Sequence, residues 1–290
     1  LPEQFKRRWE IRVGTTRISG QSAGDGEAQQ SLDCSFEIEK STEREPNSCS
    51  LTIINLSPSN RSALDDAATF PVRVSAGYPD MVSMLFDGDV RTASSRRRPR
   101  GVTNRAENVD VLTEIEAEDG GQRWRNATVQ RSYAPGVPVA TVLRDTITAL
   151  GIGEGNLNDV GTVGLNGEVA TFTQGTTLSG QAHREVDRIV RSLGLRWSIQ
   201  NGALQLRGGT TPITTTAIRL SPTTGLIGSP APDADGTVTA VALLNGGLYP
   251  GRPVVLESRE TSGSYAVKRV RHVGDTAAQD WQSELTLEAR

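Results

Sequence analysis

Two histidines, two cysteines and 4% aromatic residues leave this 290-residue chain short of the groups on which most catalytic and nucleic-acid-binding sites depend. Neither His183 nor His272 has a second histidine or a cysteine at ligand spacing, which excludes a sequence-local metal site. No Gly-x-Ser-x-Gly elbow marks a nucleophile for either histidine to activate. Scarce aromatics exclude a base-stacking platform and the stacking walls of a sugar cleft. No apolar run reaches the roughly 20 residues of a membrane-spanning helix, and no basic-apolar leader opens the chain, so a soluble, unexported protein is expected. Charge nearly cancels at net -3, which leaves no strongly basic groove and no long acidic tail in the totals. No cofactor is expected.

What is present is β-type alternation. Leu32, Cys34, Phe36 and Ile38 fall on one face of a strand and Asp33, Ser35, Glu37 and Glu39 on the other. Its partner is Cys49 to Leu56, reached through Pro46-Asn47, and Ser57-Pro58 opens a short helical turn through Leu64. This register sets Cys34 opposite Ile53 and Cys49 opposite Ile38 or Glu39. The two sulfurs are then too far apart to bridge, and two free buried thiols are expected. Further strands are read at Val72 to Tyr78, Met84 to Thr92 and Val109 to Glu118.

The middle of the chain changes to helical period. Pro138 in a first turn, then Val139, Val142, Leu143, Ile147 and Leu150, predict a helix that Gly151 ends. Leu178, Ala182, Val186, Ile189, Val190 and Leu193 predict a second, with His183 on its polar face and Gly194 as its stop. Asn201-Gly202 is a two-residue hairpin turn that pairs Ile199 with Leu204 and Trp197 with Leu206. Gly208 to Thr216 is read as a boundary and Pro230 to Gly236 as a loop. Strands then start near Val238, Pro253, Ser264 and Ser283. The organisation expected is mainly β with an α/β insert: a first β module over 1–125, the insert of two helices and a hairpin over 126–210, and a second β module over 211–290. Whether the second module closes on itself or completes the first stays open.

Three groups of residues could carry function. The glycines of Gly151 to Gly155 follow a helix instead of opening one, so they read as helix termination and not as a phosphate loop. Asp110, Glu114, Glu116 and Glu118 alternate along one strand; with Glu37 and Glu39 they form an acidic face that is either solvated or lines a passage for polyanions. Arg96, Arg97, Arg98 and Arg100 form the densest basic run. Pro99 and Gly101 place it in a loop suited to an acidic neighbour in an assembly, with nucleic acid as a weaker reading.

Several strings bear on family. GLIGSP from Gly225, the Pro250-Gly251-Arg252 strand start, and the His272-x-Gly-Asp-Thr turn before Trp281 occur in the order found in the C-terminal module of phage baseplate hub proteins. FEIEKSTEREPNSCSLTIINLSPSNRSAL, from Phe36, resembles that family's opening hairpin, and the likeness runs from about Trp9 to Glu288. It implies two tail-tube-like antiparallel β modules, barrel or sandwich, flanking the insert in a homotrimer that adapts a threefold tail spike to a sixfold tail tube. It implies as partners further copies of the chain, the tail tube protein, the spike, other baseplate proteins and the tape-measure protein, with transient passage of genomic DNA. It places the chain in the virion tail baseplate after synthesis in the host cytoplasm. Glu37, Glu39, Glu114, Glu116 and Glu118 would then line the channel, and Arg96, Arg97, Arg98 and Arg100 would meet a subunit or partner. The alternatives are a distal tail or tube-initiator protein and, more remotely, a polysaccharide-active enzyme. No catalytic or metal-binding residue is assigned.

Overall fold

A computed structural model describes residues 6–21, 32–65, 70–99, 109–157, 170–208 and 216–289. The first stretch of β structure comprises β1 (Arg8–Val13), β2 (Thr16–Gln21), β3 (Cys34–Ser41), β4 (Ser48–Ile54), β5 (Pro71–Tyr78), β6 (Met81–Pro99) and β7 (Val109–Glu118), with the short helix α1 (Pro58–Asp65) after β4. The insert holds α2 (Gly121–Asn126), β8 (Thr128–Tyr133), α3 (Val139–Leu150), β9 (Thr176–Gln181), α4 (Ala182–Ser192), β10 (Arg196–Gln200) and β11 (Ala203–Arg207). The chain ends with β12 (Ile218–Leu220), β13 (Leu226–Pro232), β14 (Val238–Leu243), β15 (Pro253–Glu257), β16 (Ser262–Asp275) and β17 (Trp281–Ala289). The protein is mainly β, and its strands pair antiparallel except for β12 with β15.

The question left open by the sequence has a definite answer in the ladder. β16 pairs on one side with β17 and on the other with β3, so strands from both ends of the chain share one thirteen-stranded sheet. That sheet covers two apolar clusters. One is built from β1 to β7 and α1 and takes in Leu244 and Trp281 from the far end of the chain; the other lies under β12 to β17. Trp281 packs edge-on to Trp9 and Phe36, at ring distances of 6.2 and 5.6 Å, and its indole N–H donates to the Gly77 carbonyl at 3.3 Å. Aromatic side chains bury the most apolar area per residue, so this cluster couples the ends of the chain.

Local chemistry accounts for the insert. α3 begins after Pro138, which stands as the N-cap and not inside the first turn, and ends at Gly151 in the left-handed conformation. α4 begins at Ala182. Leu178, read as part of its apolar stripe, lies instead in β9, where it is still fully buried. The stripe and the strand simply converge on the same core, which also takes Trp197, Ile199, Leu204 and Leu206 from the β10–β11 hairpin. That hairpin has the expected register, with Asn201 and Gly202 both at positive φ.

Other boundaries moved. β6 runs for nineteen residues, well beyond Met84 to Thr92, because it changes partner: β5 pairs with its first half and β7 with its second. Pro230 to Pro232 belong to edge strand β13, and only the residues after them turn. Cys34 faces Ile53 and Cys49 faces Ile38, both thiols being free and buried. The boundary segment 209–215 lies outside the described residues.

Candidate functional site

The carboxylates singled out from the sequence do share a face. Across β3, β4, β7 and β6, one row runs Glu37, Ser50, Glu116, Thr92 and the next runs Glu39, Ser48, Glu118 and Asp89, while Thr52, Glu114 and Ser94 make the row beyond. The opposite face of these strands is the apolar cluster of Phe36, Ile38, Leu51 and Ile115. Period two therefore fixes every acid away from the core.

This face is not purely acidic, and apart from Arg96 the cations paired on it come from places the sequence does not point to. Arg271 reaches Glu37 at 2.6 Å and Glu284 at 3.0 Å, Arg96 reaches Glu114 at 2.6 Å, and Glu118 is held between Arg91 at 2.9 Å and Arg125 at 2.5 Å. The Arg271 guanidinium holds the Glu37 carboxyl below the usual carboxylate range. Among the described residues Glu116 accepts only from Ser50 Oγ, at 2.9 Å, and the exposed Glu39 makes no ion pair. Glu284 extends the row onto β17. The alternation of Gln282, Glu284 and Thr286 with Ser283, Leu285 and Leu287 was the available signal.

The arginine run was read as a loop, and that reading is corrected. Arg96, Arg97 and Arg98 lie on β6, paired opposite Leu112, Val111 and Asp110 of β7. Pro99 does not break the ladder because it is the last residue of the strand, a position where its missing N–H removes little. Arg96 and Arg98 consequently project on the acidic face and Arg97 on the other. Arg100 lies outside the described residues.

His272 is also corrected. It is not in a turn but in the interior of β16, paired with Ile38 and Ser283, and 1% exposed. Its Nδ1 lies 2.9 Å from Ser283 Oγ, and the Asn245 N–H donates to the same Oγ at 3.1 Å. A serine beside a histidine suggests nucleophile activation, but Ser283 is 0% exposed, so no substrate reaches the pair. Burial first, and then the nearby Lys40 ammonium, pulls the His272 pKa down to about 3, so the ring is neutral. His183 is stacked on Trp124 with centroids 4.5 Å apart and its Nδ1 is 2.9 Å from the Trp124 carbonyl, a packing role. Gly153 bridges to Ala203 beside the hairpin, in keeping with the non-phosphate reading of Gly151 to Gly155.

A polar joint that sequence reasoning missed attaches the insert to the sheet. Asn47 donates to the Ile199 carbonyl at 2.7 Å and to Gln200 at 3.2 Å, and Gln200 donates to the Ser41 carbonyl at 2.7 Å. At the hairpin tip the Gly202 N–H donates to Asp119 at 2.7 Å and the Lys40 ammonium donates to Asn201 Oδ1 at 2.7 Å and to the Leu85 carbonyl at 3.2 Å. Burial lowers Lys40 to about 8 and raises Asp119 to about 6, in each case against the attraction of the other. Arg207 adds an ion pair to Glu288 at 2.7 Å. Beside this joint lies an open, largely polar groove of about 610 Å³, lined by Arg44, Glu45, Asp187, Arg191 and Trp197 among others. Among the described residues no three His, Cys, Asp or Glu cluster as a metal site, and no helix is long and apolar enough to cross a membrane.

No protein-family profile and no curated protein sequence matches this chain. The fold is nevertheless similar, end to end, to solved tail proteins. A 43 kDa tail protein of prophage MuSo2 from Shewanella oneidensis superposes with a TM-score of 0.62 over 98% of this chain and 97% of its own, at 8% identity. A tail protein from Neisseria meningitidis MC58 gives 0.57 over 97% and 96%, at 11% identity. The E. coli c3393 protein, a type VI secretion component described as structurally similar to the T4 tail proteins gp27 and gp5, gives 0.58 over 97% of this chain and 76% of its own, at 10% identity.

Proposed function

We propose that this chain is a structural component of a phage or prophage tail, and that within the tail it is the baseplate hub, a homotrimer between tail tube and spike. The observation that carries the tail reading is the end-to-end correspondence with two tail proteins, each covered over almost its entire length. The sequence likeness to hub proteins carries the finer step. In this reading the face bearing Glu37, Glu39, Glu114, Glu116 and Glu118 lines a channel through which DNA passes. Part of its charge is offset by Arg271, Arg96, Arg91 and Arg125, so the repulsion that prevents sticking falls chiefly to Glu39 and Glu116.

The test uses those two positions, since neither breaks an ion pair when changed. Particles carrying Glu39→Lys and Glu116→Lys are expected to assemble normally and to eject their genome more slowly, because added lysines hold phosphates through counterion release. Normal assembly with normal ejection would place this face outside the channel. Immunogold labelling of the same particles tests the tail reading separately, with label expected at the tail end distal to the capsid.

A further inference from the structure

Among the described residues, the second half of β6 is an open edge. β5 leaves β6 at Asp89, so Arg91 to Pro99 pair only with β7, and among the described residues no other backbone bonds to this stretch. Nine extended residues give about 30 Å of free N–H and C=O groups, more than a typical strand needs. Arg91, Thr92 and Ser94 to Arg98 are exposed. Arg97 and Arg98 make no ion pair with any described residue, in contrast to Arg91 and Arg96.

Among the described residues, the strands that end a sheet share one chemical property. The sequences of β2, β8, β9, β10, β11, β12 and β13 contain no aspartate or glutamate, and five of them contain an arginine. Pairing any of these with the β6 edge sets neutral or basic residues against arginines, and β13 also brings two prolines that lack donors. A second copy of this chain is therefore disfavoured as the occupant. Nucleic acid is disfavoured for a different reason: alternation sends Arg96 and Arg98 to one face and Arg97 to the other, which splits the charge instead of forming a one-sided phosphate platform, and Arg91–Pro99 has no aromatic for bases to stack on. Alternating backbone donors and acceptors flanked by cations on both faces suit an extended polypeptide whose side chains are acidic.

We propose that Arg91–Pro99 is a docking edge at which an acidic extended segment of a different protein adds as a further strand of the sheet. Backbone pairing supplies the binding, and Arg97 and Arg98 select for carboxylates. The bland alternative is that the arginines only guard an open edge against aggregation.

The experiment titrates the full chain with a capped synthetic peptide in which glutamate alternates with threonine, and follows binding by anisotropy and amide hydrogen exchange. Expected are saturable binding at physiological ionic strength and slowed exchange concentrated in residues 91–99. The double variant Arg97→Glu, Arg98→Glu is expected to weaken this peptide by about tenfold or more and to bind a lysine-threonine counterpart instead. Absence of binding, binding without protection at 91–99, or equal affinity of the double variant would overturn the proposal and leave the guarding role. Protection at 91–99 that rises with protein concentration alone would overturn it in favour of a second copy, and tighter binding of duplex DNA with the same protection would overturn it in favour of nucleic acid.

Discussion

His272 and Asp119 make opposite contributions to pH dependence. The histidine is held neutral with its pKa near 3, below the usual 6.5, so the stability it contributes is present above pH 6.5 and is lost as pH falls towards 3. Asp119 is raised to about 6 from 3.8, so its contribution grows as pH falls through that window. Each unit corresponds to about 1.4 kcal/mol. The two offset each other between about pH 6 and 4, and only the histidine still changes below that. Denaturant unfolding should show a steep loss of stability below pH 4 that His272→Asn flattens; equal slopes in both proteins would contradict a buried neutral ring. Glycines provide a second contrast. Gly202, at φ +75, has open space where a Cβ would point, so Gly202→Ala should cost about 1 to 2 kcal/mol of backbone strain alone. Gly155, at φ +55, would set a Cβ 1.6 Å from the Leu204 carbonyl oxygen, and Gly155→Ala should cost clearly more in thermal unfolding. Burial also pushes the Cys34 thiol up to about 12 and raises Cys49, so both should label slowly until the protein is denatured.

At the scale of elements, the joint between hairpin and sheet rests on Asn47, which accepts from the Ser41 N–H at 3.0 Å while donating to the insert. Asn47→Ala leaves the buried Ile199 carbonyl without its donor and should cost about 1 to 3 kcal/mol. Amide exchange should quicken in β10 and β11 and stay unchanged in β1; a uniform change would mean that the joint is not local. This joint also shows where the sequence stops being legible. The hairpin itself follows from two residues, because Asn-Gly dictates the turn and the turn dictates register. Its second face, Ser198 and Gln200, is buried at 6% each, and hydrophobicity gives no sign of that because the burial is repaid in hydrogen bonds. The arginine strand was missed for a related reason. Local composition around Pro99 resembles a loop, and the ladder to β7 that overrides it is set by a partner rather than by the run itself. The acidic face was legible strand by strand through its alternation, while its guanidinium partners Arg125 and Arg271 come from α2 and β16, which only the fold brings near.

In the whole molecule, the chain ends are interdependent. Trp281 fills the cluster of Trp9 and Phe36, and β16 supplies the ladder partner of β3. Trp281→Ala should cost about 3 to 5 kcal/mol, and a fragment that stops before β12 should fail to fold cooperatively, since it loses both. A fragment with native-like unfolding would show that the first β module is self-sufficient. The central claim concerns what the folded chain assembles into. The most direct measurement is the mass of the purified protein in solution over a range of concentrations. The hub reading predicts a discrete particle of three 31.0 kDa chains; a hexamer would point to a tube initiator instead, and a chain that stays monomeric at all concentrations would contradict the account.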